Sequence, residues 1–211
     1  MRKTFWIIAI LIGWNPSDTM AQLSSGMKLQ TGDLLFQDLD CGPLCDAIEQ
    51  VTKSYQGNHF SHIGMVYVRQ DSIYIIEAIG NEVQLTQLSK FMSRTSNKVL
   101  VGRVKENYRS LVNEAVNFSV AKLKTPYDDT FLYANGKYYC SELIYDAFKE
   151  ANHGKDFFRL EPMTFKQPGK NEYFPVWVEY YAKLGIPIPE GKPGINPGGI
   201  STAGLLDFLN E

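Results

Sequence analysis

The sequence predicts an α+β fold in which a mostly antiparallel sheet packs against helices, and three observations support this class. Apolar, β-rich runs cluster at 63–68, 73–78 and 99–104. The first two runs are separated by four polar residues, which is a hairpin-length connection. Helical spacing of apolar residues occurs in separate stretches and does not alternate with the strands, which favours α+β over α/β.

The first residues have the features of a secretory leader. Arg2 and Lys3 precede an apolar run over 5–14, and the small residue Ala21 ends the stretch. A basic start, a short apolar core and a small residue at the end are typical of a signal peptide. The run is about half of the roughly 20 residues that a membrane span needs. We therefore expect residues 1–21 to be cleaved, with a permanent N-terminal anchor as the alternative.

The rest of the chain, 22–211, is long enough for one domain with a substantial core and too short for two. The 21 basic and 23 acidic side chains become 19 and 22 when Arg2, Lys3 and Asp18 leave with the leader. No basic excess is available to neutralise phosphates, which argues against nucleic acid as a partner. We expect a periplasmic or secreted protein with no stable membrane span after cleavage of the leader.

The predicted elements follow one another in a simple order. A turn at Thr31 and Gly32 leads into a short buried strand at 34–36. Apolar residues at i, i+3, i+4 and i+7 from Leu44 then predict an amphipathic helix. The three β-rich runs come next, with a short strand at 83–85 between the second and the third. Strands in this order form a meander, which is why we expect antiparallel pairing.

Two more helices are predicted after the sheet. Apolar residues with helical spacing indicate one helix from Leu111 to about Phe118 and a second that begins near Cys140. The stretch 185–199 is rich in Pro and Gly and is expected to lack regular structure. Its isoleucines favour a loop laid over the surface of the domain.

The three cysteines raise the first chemical question, because an odd number in an exported chain leaves at least one thiol unpaired. Cys41 and Cys45 are the obvious partners, but a bridge across so short a spacing needs favourable geometry, so both the bridged and the reduced pair stay open. If they pair, the free thiol is Cys140. The sequence has no second Cys/His pair at zinc spacing, no glycine loop for phosphate and no dinucleotide fingerprint, so we expect no metal and no cofactor.

Cys140 lies where a helix begins, directly after two tyrosines. Unpaired N–H groups and the helix dipole favour an anion at such a position, and the thiolate is the reactive form of cysteine. Glu142, two residues on, would favour the helix start but oppose the thiolate if it pointed the same way. The alternative for Cys140 is a buried structural cysteine, the commonest role of a lone thiol.

Three histidines could supply a base. His153 follows the second helix and suits its C-terminal cap, whereas His59 and His62 precede the first β-rich run. A strand start would hold the His62 ring in one orientation, and Gly64 would leave room beside it for another chain or a substrate. The alternative for His62 is a ring whose nitrogens bond only to backbone.

Glu77 interrupts the apolar second run and is the candidate to orient His62. If the first two runs pair through the connection at 69–72, residues whose numbers sum to about 141 face each other. Glu77 then lies opposite Gly64 and diagonal to His62 on the same face, within reach of a long side chain. Cysteine–histidine sites are usually completed by such a polar residue. The alternative is an edge-strand glutamate that faces water.

Four segments, TGDLLFQ, HFSHIGMVYV, IIEAIGNEV and YYCSELIYDAF, occur in this order. They resemble the circularly permuted papain-like cysteine hydrolases of the NlpC/P60 superfamily, in the YiiX/YaeF-like branch, and the resemblance covers nearly all of 22–211. It implies a permuted papain-like fold with Cys140 as nucleophile, His62 as general base and Glu77 as the orienting residue. The superfamily usually has a histidine or another polar residue in this third place.

The implied reaction is acyl transfer from an amide or ester carbonyl to the cysteine, followed by hydrolysis of the thioester. Tyr127, Asp128 and Tyr139 are candidates for lining the cleft, with packing and turn formation after Pro126 as the alternative. Gln37, at the end of the first strand, is a candidate oxyanion donor.

Three functions stay open from the sequence. The first is a hydrolase of peptide or amino-acyl amides, including cell-wall peptides. The second is the same core acting on a lipid amide or as a lipid acyltransferase, with the aromatic segment 173–177 lining an acyl site. The third is a non-enzymatic binding module of the cell envelope in which Cys140 is a core residue.

Overall fold

A computed structural model describes residues 27–210, and the expected leader at 1–21 lies outside these residues. Eight strands occur in this range. In chain order they are β1 Leu34–Gln37, β2 His62–Arg69, β3 Ser72–Ile79, β4 Glu82–Gln87, β5 Leu100–Val104, β6 Glu161–Pro162, β7 Pro193–Gly194 and β8 Leu206–Phe208. Six of them form one sheet in the order β4-β3-β2-β1-β5-β8, with antiparallel pairs along its width, while β6 and β7 pair separately.

The helices lie before, within and after this sheet in the sequence. They are α1 Pro43–Gln50, α2 Leu88–Met92, α3 Val112–Ala121, α4 Cys140–Ala151, α5 Pro175–Leu184 and α6 Pro197–Ser201. The fold is therefore α+β with an antiparallel sheet, as the sequence predicts. Between residues 27 and 210, the structure contains no helix whose length and apolar character would suit it to cross a bilayer.

The pairing of β2 with β3 has the register expected from the hairpin. Met65 faces Ile76 and Val68 faces Ile73, so the paired residue numbers sum to 141. The alternation of apolar side chains fixes this register, because a slip by one residue would move every side chain to the opposite face of the sheet. His62 and Glu77 consequently lie on the same face of neighbouring strands.

Each face of the sheet carries its own apolar core. One face packs against α3 and α4 through Phe36, Ile63, Met65, Leu143 and Phe148, among others. The opposite face is covered by α2 through Leu35, Val66, Ile75, Phe91 and Met92. The sheet is thus the central layer, and α4 is held firmly because most of its side chains are buried.

The apolar residues of α4 explain both its position and its length. Leu143 and Ala147 form one i, i+4 pair and Ile144 and Phe148 another, and all four are fully buried. The helix ends at Ala151, and the chain turns through residues with positive φ directly afterwards. Burial of this stripe against the sheet fixes where the first turn, which begins at Cys140, lies.

The C-terminal part of the chain departs from the sequence prediction. The stretch 185–199 contains β7 and the start of α6, so the expectation that it lacks regular structure is wrong in part. Asn196 caps α6 by accepting a hydrogen bond from the Gly199 N–H at 2.7 Å. Ile195 is buried, as expected for a loop laid over the domain. The helix α5 was not predicted, although Pro175 at its first turn is a start signal.

Gly64 in β2 permits close packing inside the protein, not the approach of a substrate. A Cβ atom at this position would lie 2.4 Å from Cγ2 of Ile75 and 3.2 Å from Cε2 of Phe91. The expectation that Gly64 leaves room for a substrate or another chain is therefore wrong. The space is filled by neighbouring side chains of the sheet and of α2.

This contact predicts that Gly64→Ala destabilises the fold. The added methyl group would force Ile75 or the strand to move, and such overpacking costs about 1–3 kcal/mol. Urea unfolding of the variant measures the loss in the free energy of unfolding. Ser72→Thr, which adds a methyl group at an exposed position of β3, is the control and should change stability by no more than about 0.5 kcal/mol. Equal stability of wild type and Gly64→Ala would show that the packing here is loose.

Candidate active site

Three polar side chains, two of them buried and one half-buried, meet beside the start of β2. Nε2 of His62 is 2.6 Å from Oε2 of Glu77. The guanidinium of Arg94 donates to both oxygens of the same carboxylate, at 2.7 Å to Oε2 and 2.6 Å to Oε1. Glu77 has no exposed surface, and His62 is 3% exposed. The carboxylate is therefore fixed between a planar cation and an imidazole.

These contacts set the ionisation of Glu77. Burial acts to raise the pKa of the carboxyl group, but the hydrogen bonds and charges of His62 and Arg94 lower it by more, to about 2. Glu77 is consequently a carboxylate at neutral pH. Its Oε2 can accept a hydrogen bond from the Nε2–H group of His62, which fixes the orientation of the ring.

The second ring nitrogen of His62 is the one available to the side chain of Cys140. Because Nε2 faces Glu77, Nδ1 is left for the thiol. Burial acts to lower the pKa of His62, but hydrogen bonds to Cys140 and Glu77 and their negative charges raise it to about 9. His62 can therefore keep its proton at neutral pH while it lies beside Cys140.

Cys140 is the first residue of α4, and its thiol is free and buried. The preceding residue, Tyr139, is extended, and no side chain caps the helix start. The backbone N–H groups of the first turn are therefore available to stabilise a negative charge beside the sulfur. Helix α4 supplies the thiol and the sheet supplies the histidine.

Glu142 is buried in the first turn of α4 and does not oppose a thiolate with a full charge. Oε1 accepts a hydrogen bond from the Ala134 N–H at 2.9 Å, whereas Oε2 has no partner among the described residues. Burial raises the pKa of this carboxyl to about 8, despite the hydrogen bond from Ala134. At neutral pH the group is therefore mostly protonated.

Cys140 and His62 line one cavity of about 580 Å³. Tyr127 and Tyr139, two of the three residues predicted to line a cleft, also lie in its wall. The hydroxyl of Tyr139 accepts a hydrogen bond from the Ile195 N–H at 3.1 Å, which ties the start of α4 to the C-terminal segment.

Asp128, the third predicted lining residue, does not belong to the cavity wall. Its side chain is fully buried and accepts hydrogen bonds from Thr130 N at 2.9 Å, Thr130 Oγ1 at 2.6 Å and Leu132 N at 2.8 Å. The prediction for Asp128 is therefore wrong. Its carboxylate holds the turn after Pro126, which was the alternative.

Gln37 is also not an oxyanion donor in this structure. It pairs with His62 across β1 and β2, but its Nε2 donates to the Phe91 carbonyl at 2.9 Å and it is absent from the cavity wall. The amide is therefore used to hold α2 against the sheet. The N–H groups at the start of α4, where no side chain caps the helix, are the donors that remain as candidates.

The other two histidines lie away from the site. The ring of His59 is 65% exposed and 3.8 Å from Glu49. His153 is exposed and has a positive φ of 57° after the end of α4, as predicted for a C-terminal position. Of the three histidines, His62 alone lines the cavity with Cys140.

The Cys41 and Cys45 pair, left open by the sequence, is a disulfide with a Cα–Cα distance of 5.3 Å. The bridge joins the loop before α1 to its first turn, and both cysteines lie in the cavity wall. Cys140 is consequently the free thiol of the described chain.

Arg94 is the functional residue that the sequence did not reveal. A carboxylate in a buried strand needs a cationic partner, and this rule predicts that some Lys or Arg reaches Glu77. Which basic residue pairs with Glu77 depends on the path of the chain after α2, and this path places Arg94 beside β3. No local pattern marks it among the 21 basic residues.

The arrangement can perform nucleophilic acyl transfer. It has a thiol at a helix start, a protonatable imidazole beside it and a fixed carboxylate that orients the imidazole. These are the groups needed to form and break a thioester.

Comparisons with known proteins identify a family and a shared fold. A family described as permuted papain-like amidase enzymes, the YaeF/YiiX or C92 family, matches residues 28–209. The uncharacterised protein YiiX of Escherichia coli K12 is 30% identical over 124 residues, which cover 58% of this chain and 58% of YiiX. The aligned part thus spans less than two thirds of this curated relative.

A solved structure shares the fold. The crystal structure of the metalloprotein YiiX from Escherichia coli O157:H7 superposes with a TM-score of 0.67. The match covers 87% of this chain and 97% of that chain at 24% identity. At this identity the likeness establishes the architecture alone.

The first prediction from the site concerns the pairing of Glu77. Arg94→Met removes two hydrogen bonds from a buried carboxylate and should lower the free energy of unfolding by about 3 kcal/mol, since His62 still pairs with Glu77. The stabilising effect of ionised Glu77 is present above about pH 4.5 and is lost as the pH falls through about 2. In the variant the pKa of Glu77 is higher, so acid unfolding should begin at a higher pH.

Urea unfolding between pH 3 and pH 7 measures both effects. Lys124→Met breaks an ion pair with Glu82 in which the lysine is 78% exposed, and this control should cost no more than about 1 kcal/mol. An Arg94→Met protein as stable as the control would contradict the role of Arg94.

The second prediction concerns His62. The folded protein keeps this proton up to about pH 9, whereas an unperturbed histidine loses it near pH 6.5. The stabilising effect is therefore complete below about pH 6.5 and is lost as the pH rises through about 9. The stability difference between wild type and His62→Gln should fall over this range by up to about 1.4 kcal/mol per pH unit.

Urea unfolding at pH 6, 7, 8 and 9 measures this difference. His59→Gln, at an exposed position, should change stability by no more than about 0.5 kcal/mol at each pH. A His62→Gln difference that does not vary with pH would contradict the raised pKa of His62.

Proposed function

The chain belongs to the C92 family of permuted papain-like amidases, and from this membership we propose that it is an exported cysteine hydrolase that cleaves amide bonds through Cys140, His62 and Glu77. The single observation that carries the proposal is the free thiol of Cys140 at the start of α4, beside a His62 ring bonded to a buried carboxylate. The link to the wider NlpC/P60 superfamily stays a prediction.

In the first half of the proposed reaction, the Cys140 thiolate attacks the amide carbonyl and forms a carbon–sulfur bond. The carbonyl oxygen becomes an oxyanion that backbone N–H groups at the start of α4 stabilise. The carbon–nitrogen bond then breaks, and the His62 imidazolium gives its proton to the leaving amine. The product of this half is a thioester and a neutral His62.

In the second half, neutral His62 takes a proton from water, and the resulting hydroxide attacks the thioester carbonyl. The carbon–sulfur bond breaks, which releases a carboxylic acid and restores the thiolate and the imidazolium. Glu77 keeps its charge in both halves and holds Nε2 of His62, while Arg94 keeps the carboxylate in place.

Export of the protein is supported by two features. Residues 1–21 have the pattern of a signal peptide, although they lie outside the described residues. The Cys41–Cys45 disulfide is a bond typical of oxidising compartments. A periplasmic or secreted location follows from both, and the net charge continues to argue against nucleic acid as a partner.

A metal is not used in this mechanism. The solved neighbour is called a metalloprotein, but residues 27–210 of this chain bring together no group of three or more His, Cys, Asp or Glu side chains that could hold a metal ion. The Glu77 oxygens are bonded to Arg94 and His62 instead. The residues present therefore do not fit a metal site, and we route no step through one.

A binding module without catalysis was the third hypothesis from the sequence. The described residues argue against an inert Cys140, because a core cysteine needs no protonated histidine and no buried carboxylate beside it. Perturbed ionisation of paired groups in a cavity is typical of reactive sites.

We expect substitutions at Cys140 and His62 to abolish catalysis. Cys140→Ser should lower kcat/KM for any amide substrate by about 10³-fold or more, and His62→Ala by a similar factor, because the loss of either residue disables the same catalytic unit. Alkylation of Cys140 by iodoacetamide at pH 6 should be at least about tenfold faster in wild type than in His62→Ala, because the imidazolium stabilises the thiolate.

Three measurements check this proposal. They are mass spectrometry of the alkylated protein, trapping of the thioester, and consumption of muropeptides and N-acyl amides by wild type and Cys140→Ser. His59→Ala is the matched histidine control and should keep full activity. Hydrolysis that survives in Cys140→Ser would refute a nucleophilic role for the cysteine.

A further inference from the structure

Phe91 lies among the side chains that surround the His62 ring. The centroid of its ring is 6.0 Å from that of His62 and 5.6 Å from Cζ of Arg94. Phe91 is fully buried, and a Cβ atom at Gly64 would lie 3.2 Å from its Cε2. The last turn of α2 is therefore packed directly against the histidine of the candidate site.

The backbone carbonyl of Phe91 is held from the sheet by Gln37. Nε2 of Gln37 donates to this carbonyl at 2.9 Å, and the backbone N–H of Arg94 donates to it at 3.3 Å. Gln37 ends β1, an interior strand of the sheet, where it is paired with His62. The side-chain bond joins residues 54 positions apart, so it fixes where the end of α2 lies on the sheet, which a bond within the helix would not do.

The reach of Arg94 depends on the position of this helix end. Arg94 is the third residue after Phe91, and its guanidinium donates to both oxygens of Glu77, at 2.7 and 2.6 Å. Bidentate pairing with a carboxylate has narrow geometric requirements. A shift of the end of α2 would therefore disturb the Arg94–Glu77 pair and, with it, the bond from Glu77 to His62.

The side chain of Gln37 is buried with only part of its amide bonded. Gln37 has no exposed surface, and within residues 27–210 its Oε1 has no hydrogen-bond partner. A buried carbonyl oxygen without a partner is unfavourable, so this amide adds less to stability than a fully bonded one. An apolar side chain of the same shape could fill the space, but it could not hold the Phe91 carbonyl. The bond to that carbonyl is therefore what the amide contributes.

We infer that Gln37 is a positioning residue for the candidate site, because its amide fixes the end of α2 through the Phe91 carbonyl and so lets Arg94 hold Glu77 against His62. Gln37 is absent from the cavity wall, so it acts through these residues and not on a substrate. The inference rests on the proposed function for its effect on amide hydrolysis. Its effect on the hydrogen bond between His62 and Glu77 is independent of any substrate.

The ring proton of His62 reports this arrangement without catalysis. A proton on Nε2 in a short bond to a carboxylate gives a strongly downfield proton NMR resonance, which is identified by its absence from His62→Gln. In Gln37→Met, which keeps the length of the side chain and removes the amide, this resonance should move upfield or disappear. Asn210→Leu is the matched control, because it removes a buried amide that donates to the Val99 carbonyl at 2.7 Å, and the resonance should stay in place. An unchanged resonance in Gln37→Met would overturn the inference.

Kinetics on an amide substrate show whether Gln37 acts through Arg94. Gln37→Met should lower kcat by about tenfold or more and leave KM within about twofold, because the reacting groups are misplaced while the cavity wall is intact. Arg94→Met should lower kcat as well, and in the double variant the two losses should not multiply. Asn210→Leu should keep the wild-type kcat. Losses that multiply in the double variant would show that the two residues act independently and would overturn the inference.

A second variant and the wild type complete the test. Gln37→Asn, which keeps an amide but is shorter by one methylene group, replaces Gln37→Met if that variant does not fold, and it should show the same changes. A shifted His62 resonance in Gln37→Met, in a protein whose wild type hydrolyses no amide, would support the inference and refute the proposed function. Hydrolysis by wild type that is lost in Cys140→Ser, together with an unshifted resonance in Gln37→Met, would do the reverse.

Discussion

The site depends on a carboxylate that has no exposed surface. Burial of an ionised group is costly unless it is paired, and Glu77 is compensated by the bidentate Arg94 and by His62. This compensation joins β3, the start of β2 and the chain after α2 into one arrangement. The orientation of the His62 ring in the candidate site is a consequence of it.

The fold brings the thiol to this arrangement from the other half of the chain. Helix α4 is buried along most of its length, so its first turn cannot move away from the sheet. The cavity wall then draws on α1, which precedes His62 in sequence, and on α5 and the C-terminal segment, which follow Cys140. The candidate site thus lies on the sheet and α4, and the rest of the cavity wall lies on the elements packed around them.

The sequence predicted those parts of the structure that depend on local periodicity. The register of β2 and β3 follows from apolar alternation and a short connection, and it correctly placed Glu77 diagonal to His62. The start of α4 was predicted because apolar spacing begins beside Cys140. Arg94 was missed, since its position beside Glu77 depends on how separate segments meet. The order in the Pro- and Gly-rich tail comes from packing on the domain, which no local pattern encodes.

The disulfide between Cys41 and Cys45 places two opposite redox demands on a single cavity. Its wall contains a bond that forms under oxidising conditions, while the thiol proposed as the nucleophile, in the same wall, can react only when reduced. A thiol reductant added to protect Cys140 therefore also attacks the bridge that fixes the start of α1. Activity measured in strong reductant would come from a protein with an altered cavity wall. The redox state of the buffer would therefore affect the cavity wall as well as the Cys140 thiol.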